Sequence, residues 1–232
     1  MKLSPRLQAV ADLVIPGRPA ADVGCDHAQL AAWWVNHDRV PRAIASDVVP
    51  GPLQRAHRQL AEAGVTSVEI RRGSGLTTLR PGEVATIALA GMGGGLMVEL
   101  LRASPAVLEA TARVILQPNT AWQDVRRFLA DRSIPLQTET LIEDGGQVYL
   151  TLSFDPRARG PAWNEADIML GPRLRRARPP AFERWFARRC EHVDDLLVRL
   201  AASLGPAHPR IAALRDERDR LQRANDSTNC AT

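Results

Sequence analysis

The sequence predicts an α/β fold: a parallel sheet covered on both faces by helices, closed by an antiparallel hairpin and followed by a helical C-terminal piece. Three observations carry this reading. Short apolar runs alternate with helix-period stretches from residue 20 to residue 131, the pattern of a parallel sheet with crossover helices. Two strand-like runs then flank Asp144-Gly145-Gly146, a hairpin signal. Beyond Pro179 the apolar residues recur at spacings of three and four, which is helical periodicity.

The elements follow in order. Ser4 before Pro5 is an N-cap with proline in the first helical position. Leu7, Val10, Ala11 and Val14 share one face of that helix, and Pro16-Gly17 stops it. Strands are expected at 20–23, 43–46, 68–71, 84–90 and 114–117. Helices are expected at 28–35, at 52–63 before Gly64, from a glycine turn through Leu101, and at 122–131. Residues 136–142 and 148–154 form the hairpin. A doubly wound sheet that ends in such a hairpin is the layout of class I methyltransferases rather than of a plain dehydrogenase domain. A linker rich in Pro, Arg and Gly spans 155–161, so the expected domains are 1–155 and 162–226. Pro179-Pro180 opens a long helix with apolar positions from Phe182 to Leu204. Gly205-Pro206 breaks it, and Ile211, Leu214 and Leu221 continue the period in a second, highly charged helix. Two helices joined by a short Gly/Pro turn make an antiparallel, coiled-coil-like hairpin. Residues 225–232 are expected to fray.

Composition bounds the function. With 232 residues, 45% of them hydrophobic and 24% charged, the chain is one ordinary domain plus an appendage, and wholesale disorder is excluded. The net charge of +4 is unevenly placed. Residues 1–155 hold 15 Lys+Arg against 16 Asp+Glu, and residues 156–232 hold 15 against 10. The excess therefore sits in the C-terminal third, and it is arginine, because Lys2 is the only lysine. The cysteines, Cys25, Cys190 and Cys230, are scattered and form no C-x-x-C pair, which indicates neither a disulfide framework nor a metal site. The N-terminus lacks the apolar core of a signal peptide. The longest weakly polar run, 84–98, is short and broken by glycines, so no membrane span is expected. A cytoplasmic setting is the expectation.

In a nucleotide-binding sheet the ligand lies beyond the C-terminal ends of the strands. The first strand leads into Asp22-Val23-Gly24-Cys25-Asp26-His27. Gly24 lets backbone approach a ligand. The absence of a Gly-x-Gly-x-x-Gly run disfavours a dinucleotide. A sulfonium amino acid asks instead for carboxylates and carbonyls near a positive centre. Asp22 meets that need, the alternative being a strand-end carboxylate that caps a loop. Asp47 ends the second strand, placed to accept ribose hydroxyls or to act as an acid at a helix N-terminus. Gly73, Ser74 and Gly75 follow the third strand, where an adenine would rest. Ala90, Gly91, Met92 and Gly93 follow the fourth, either making room for a planar base or turning tightly into a helix.

With these residues assembled, the chain resembles the bacterial tRNA (adenine(22)-N(1))-methyltransferases, the TrmK family. The stretches that carry the resemblance are Leu3-Ser4-Pro5-Arg6-Leu7, residues 21–28, Ala90-Gly91-Met92-Gly93-Gly94 and Ile115-Leu116-Gln117-Pro118-Asn119. Gly171-Pro172 and the Trp185 region match as well, so the likeness runs over nearly the whole chain. The resemblance implies a Rossmann-like S-adenosylmethionine domain with a helical C-terminal domain, and methyl transfer to N1 of an adenine in tRNA. It implies that Asp22, Gly24, Asp26 and His27 line the cofactor end, that Asp47 holds the ribose, that Gly91, Met92 and Gly93 flank the methyl group, and that Asn119 sits at the mouth. Gln29 and Ser74 depart from the family pattern, which typically shows Tyr and Asp there.

The expected chemistry is direct displacement by a neutral N1 lone pair, in which alignment does most of the work. Asp26 and Asn119 are the candidates to support the cationic product, and His27 to orient base or cofactor. His27 as a hydrogen-bonded structural residue is the competing reading. Arg173, Arg175, Arg176, Arg178, Arg184, Arg188 and Arg189 fall within 17 residues whose only acid is Glu183. That density suits RNA phosphates, against the plainer reading of a solvated helix face. Two other functions stay open: a non-catalytic RNA-binding protein with a degenerate cofactor pocket, and a methyltransferase acting on another nucleotide. A nucleotide-dependent oxidoreductase is disfavoured by the single early glycine and the terminal hairpin.

Overall fold

The structure, a computed structural model, describes residues 2–205 and 208–226. Pro206 of the expected helix break and residues 227–232 of the expected tail lie outside the described residues. The chain divides into two compact units, Met1–Pro161 and Ala162–Thr232.

The first unit is a seven-stranded sheet flanked by helices. Its strands are β1 (Ala20–Val23), β2 (Ala43–Asp47), β3 (Val68–Arg72), β4 (Thr86–Gly93), β5 (Arg113–Thr120), β6 (Leu136–Asp144) and β7 (Gln147–Phe154). Their order in space is β3-β2-β1-β4-β5-β7-β6. Pairings among β1 to β5 are parallel, and those of β7 with β5 and β6 are antiparallel. The central strands are mostly apolar because both faces are covered: every residue of β1 is buried, the one acid Asp22 included. The strand order reverses between β1 and β4, which opens a crevice at their C-terminal ends.

Six α-helices cover this sheet: α1 (Pro5–Ala11), α2 (Gln29–Asn36), α3 (Pro50–Glu62), α4 (Gly94–Ala103), α5 (Pro105–Glu109) and α6 (Trp122–Ala130). In α1, Ser4 accepts from the Leu7 N–H as the N-cap that Ser-Pro forecasts. The helix stops at Ala11, earlier than the proline: the Leu13 and Val14 N–H groups bond three residues back, to Val10 and Ala11, and the Ile15 N–H donates to the Thr86 hydroxyl at 3.2 Å. One apolar layer joins Leu3 and Val10 to Leu30, Trp34, Leu53 and Leu60 under α1, α2 and α3. Trp34 is wholly buried, and its indole N–H donates to the Ala11 carbonyl at 3.1 Å. The expected linker is part of this unit: the Gly160 N–H donates to the Ser133 carbonyl at 2.8 Å.

The second unit is helical: α7 (Glu165–Leu170), α8 (Pro172–Ala177), α9 (Pro180–Leu204) and α10 (Pro209–Asp226). Asn164 and Asp167 form a reciprocal capping box at the start of α7. The helices α9 and α10 run antiparallel, fastened by Arg189 to Glu217 and by Arg218 to Asp194 at 2.9 Å. Asn225 and Asp226, expected in a frayed tail, belong to α10. No helix among the described residues is long and apolar enough to cross a membrane.

Candidate active site

The crevice beyond β1, β2 and β4 holds a cleft in two lobes. The larger, of about 440 Å³, is lined by Asp22, Gly24, Asp26, His27, Asp47 and Gly91, and also by Arg6 and Gln29. The smaller, of about 330 Å³, is lined by Gly73, Ser74 and Met92 with the apolar Val48, Leu96 and Leu100. Gly24, Asp47, Ala90 and Gly91 line both lobes, so the two form one groove around the strand ends.

Asp22 sits on β1 with 4% of its surface exposed. The sequence left two roles open, ligand and cap; in the structure the one side chain both lines the larger lobe and takes a backbone N–H at the start of α2. The N-cap position of α2 is Ala28, with φ +54°, which has no side-chain oxygen and makes no capping bond. The Ala31 N–H donates to the Asp22 carboxylate instead. Burial pushes the Asp22 acid up from 3.8 to about 7, and the negative charge of Asp47 adds to the shift, while the Ala31 bond opposes it. A buried anion in this state is stabilised by a cation placed beside it. Burial, with the charges of Asp22 and Asp47, also raises the Cys25 thiol well above its usual range, so Cys25 is a packing residue and not a nucleophile.

The loop after β1 is tightly wound. Gly24 has φ +78°, and a Cβ there would come within 2.5 Å of the Met92 Cε. Asp26 and Ala28 also adopt positive φ, at +46° and +54°, a concentration of backbone strain that marks functional loops. Asp26 is 69% exposed at the rim. The Arg55 guanidinium on α3 donates to His27 Nδ1 at 3.3 Å and lies 3.7 Å from Asp26. His27 Nε2 is 3.5 Å from Asp26. The candidate pair is thus brought together, held from outside by an arginine that the sequence reading missed. Asp47 accepts from the Val49 N–H at 2.9 Å, which turns the chain into α3.

The glycine run after the fourth predicted strand is not a simple turn. It continues as strand to Gly93, and the register against β5 slips on either side of Met92. The slip has a chemical cause: the partner at that point is Pro118, which has no N–H to give the ladder. Gly91 bulges out with φ +79°, and two side-chain amides take the place of the missing backbone partners. Gln117 Oε1 accepts from the Gly91 N–H at 3.1 Å, and the Asn119 amide donates to the Gly91 carbonyl at 2.8 Å. The Gln117 amide in turn donates to Asn119 Oδ1 at 3.1 Å. Asn119, expected at the mouth, lines neither lobe and acts from behind Gly91. Gly93 also lines neither lobe: it is the N-cap of α4, with its Cα face against the Thr120 hydroxyl. Gln117, to which the sequence motif assigns no role of its own, shapes the bulge through its fully buried amide.

The groove fits S-adenosylmethionine. The buried Asp22 carboxylate in the larger lobe is suited to a cationic amino-acid end, and Asp47, where the lobes meet, to a diol. The smaller lobe offers a largely apolar space bounded by Val48, Leu96 and Leu100. No group of three or more His, Cys, Asp or Glu among the described residues could hold a metal ion.

The arginine cluster of the second unit is less uniform than its sequence suggests. Arg175 is only 7% exposed and pairs with Asp167 at 2.6 Å. Arg178 pairs with Glu183 at 2.7 Å and donates to Asn225 at 2.9 Å, and Arg189 pairs with Glu217. Those three brace the helices. Arg173, Arg176, Arg184 and Arg188 are exposed.

A seven-stranded sheet of this order, with a glycine bend and acids at the β1 and β2 ends, defines a methyltransferase of the S-adenosylmethionine class. Comparison with known proteins agrees: residues 3–152 match the methyltransferase-domain family. The chain is 30% identical to the tRNA (adenine(22)-N(1))-methyltransferase of Bacillus subtilis, with 97% of this chain and 98% of that protein covered. It belongs to the family of the bacterial tRNA (adenine(22)-N(1))-methyltransferases. Among solved structures it is similar to Streptococcus pneumoniae Sp1610, a putative tRNA (m1A22) methyltransferase, with TM-score 0.88, 28% identity, and coverage of 97% of this chain and 100% of that one. The same protein in complex with S-adenosyl-L-methionine matches with TM-score 0.85 at the same identity and coverage.

Proposed function

We propose that this protein transfers the methyl group of S-adenosylmethionine to N1 of adenine 22 in tRNA, acting in the cytoplasm. Residues 1–155 carry the cofactor and residues 162–226 grip the RNA. The observation that carries this reading is the buried, high-pKa Asp22 at the floor of a groove that Asp47 and Gly91 bound. When bound, the cofactor supplies an electrophilic methyl on a sulfonium. Asp22 binds the cationic end of the amino acid, and Asp47 accepts from the ribose hydroxyls. Val48 and Leu96 cover the adenine, with Ser74 at its edge. Gly24 and Gly91 bring bare backbone to the methyl group, where a side chain would keep the reactants apart.

On the substrate side, the target adenine must leave its helix, because N1 faces a pairing partner. Asp26 and His27, at the rim, present a polar edge to the incoming base and to the positive charge it acquires. Arg173, Arg176, Arg184 and Arg188 bind phosphates. The test is incubation of the protein with unmodified tRNA transcript and labelled cofactor, followed by nucleoside mass spectrometry. One 1-methyladenosine per tRNA, lost when adenine 22 is replaced by guanine, is the expected result. No transfer at saturating protein refutes the proposal, and cofactor-free RNA binding would point to a non-catalytic RNA-binding protein.

A further inference from the structure

Arg6 is the only arginine or lysine that lines the larger lobe among the described residues. It comes from α1, not from the strand-end loops that build the rest of the cleft. Its position is fixed at several points. The guanidinium donates through Nη1 to Gln117 Oε1 at 2.5 Å and lies 5.3 Å from the centroid of the Tyr149 ring. Its backbone N–H donates to Asp144 at 3.4 Å. Gln117 cannot swivel to release it, because the same oxygen accepts from Gly91 and the amide nitrogen donates to Asn119. Tyr149, behind Arg6, does not itself line the lobe.

Besides backbone, carboxylates and aliphatic groups such as Leu7, Leu30 and Pro52, the lobe is lined by Gln29 and by the His27 imidazole, which Arg55 and Asp26 hold at the rim, and no Phe, Tyr or Trp is among its walls. An extruded purine loses its stacking partners, and proteins restore them with aromatic rings or arginine planes. We propose that Arg6, backed by Tyr149, is the stacking platform for the target adenine, a substrate-binding residue of the larger lobe. The inference rests on the proposed base substrate. Gln117 and Tyr149 hold the plane in place before the base arrives, so little side-chain freedom is lost on binding. Methyl transfer leaves the base cationic, and the guanidinium then repels the product it had stacked on as substrate.

The experiment compares wild type with Arg6→Ala, Arg6→Lys, Tyr149→Ala and Tyr149→Phe in tRNA methylation, cofactor calorimetry and melting. Arg6→Ala and Arg6→Lys are expected to lower kcat/KM for tRNA about tenfold or more, the scale of one lost base stack. Cofactor affinity and melting stay at wild-type values. Tyr149→Ala falls part of the way, and Tyr149→Phe keeps wild-type kinetics because it keeps the ring. A lysine that restores full activity overturns the platform in favour of simple charge, and so do unchanged kinetics in both alanine variants. A parallel loss of cofactor affinity makes Arg6 a structural residue and equally overturns it; Tyr149→Ala decides the matter if the Arg6 variants do not fold. A second arm places 2-aminopurine at the target position of the tRNA. Stacking quenches its fluorescence on wild type more than on Arg6→Ala, and equal quenching overturns the inference. An inactive wild type refutes the proposed function alone, because this arm requires no transfer.

Discussion

Replacing Asp22 by Asn tests the electrostatics of the cleft. Asn keeps an acceptor for the Ala31 N–H but removes the titratable charge. In the folded protein Asp22 titrates near 7 instead of 3.8, chiefly because it is buried. Between those values the folded state binds a proton that the unfolded chain has already released. Stability therefore falls as pH rises through that window and levels off above it. The shift of roughly 3 units, at 1.36 kcal/mol each, bounds the cost of the ionised side chain at about 4 kcal/mol. Urea unfolding without cofactor is the assay. Wild type and Asp22→Asn should match near about pH 4, and the variant should be more stable by a few kcal/mol at about pH 8. Cofactor binding should move the opposite way. Wild-type affinity rises toward tenfold per pH unit below about 7 and then flattens, because the cation selects the carboxylate, whereas the variant binds weakly at every pH. Parallel stability curves for the two proteins, or a flat wild-type affinity profile, would refute the reasoning.

Three further outcomes follow from the same structure. Gln117→Leu removes the acceptor of the Gly91 N–H and of Arg6, and an orphaned buried donor costs about 1–3 kcal/mol; chemical denaturation should show that loss together with weaker cofactor binding. Glu83 is held down at about 2, instead of 4.5, chiefly by two bonds from Arg71 at 2.6 and 2.8 Å. Its contribution is complete above its ordinary value and is lost as pH falls toward 2; after discounting for solvent screening it is about 1–2 kcal/mol, so Glu83→Gln should flatten the acid limb of the unfolding curve. Arg176→Glu with Arg188→Glu should weaken tRNA binding steeply at low salt and leave melting unchanged, whereas Arg175→Ala should lower the melting temperature by breaking its pair with Asp167; filter binding across a salt series separates the two.

The sheet was legible because its central strands hold unbroken apolar runs such as residues 87–90, and because the longer helices carry their own period. What the sequence hid falls into two physical kinds. The helices α5, α7 and α8 have five or six residues, too few for a 3.6-residue period to show. Their signs were local: Pro105 and Pro172 at first helical positions, and the Asn164 to Asp167 capping box. The other kind is long-range. Gly24, Asp22 and Asp47 could be placed because strand ends converge in any such sheet. Arg6 meets Gln117 across 111 residues, and no spacing announces that meeting. The arginine run failed in the reverse sense: Arg175 and Arg189 look like free cations in sequence, but neighbouring helices, α7 and α10, bring Asp167 and Glu217 to them.

Charge placement in the cleft bears on the direction of the reaction. Displacement by a neutral base conserves total charge, because the positive unit on sulfur reappears on the purine. The field of the protein therefore acts only through the difference between the two ends of that transfer. Asp22 is buried near one end and Arg6 is pinned in the same lobe by Gln117. In the proposed placement, with Asp22 on the cofactor side and Arg6 against the base, that field would hold the cationic cofactor and disfavour the cationic product. Such an arrangement works against the chemical step, so alignment must supply the acceleration. It does favour product release, which sets the turnover of many enzymes. Methylated tRNA should accordingly be a weaker competitor against wild type than against Arg6→Ala, relative to unmodified tRNA. A competition assay that finds the same ratio for both proteins would remove charge repulsion from the account and leave Arg6 as a stacking surface alone.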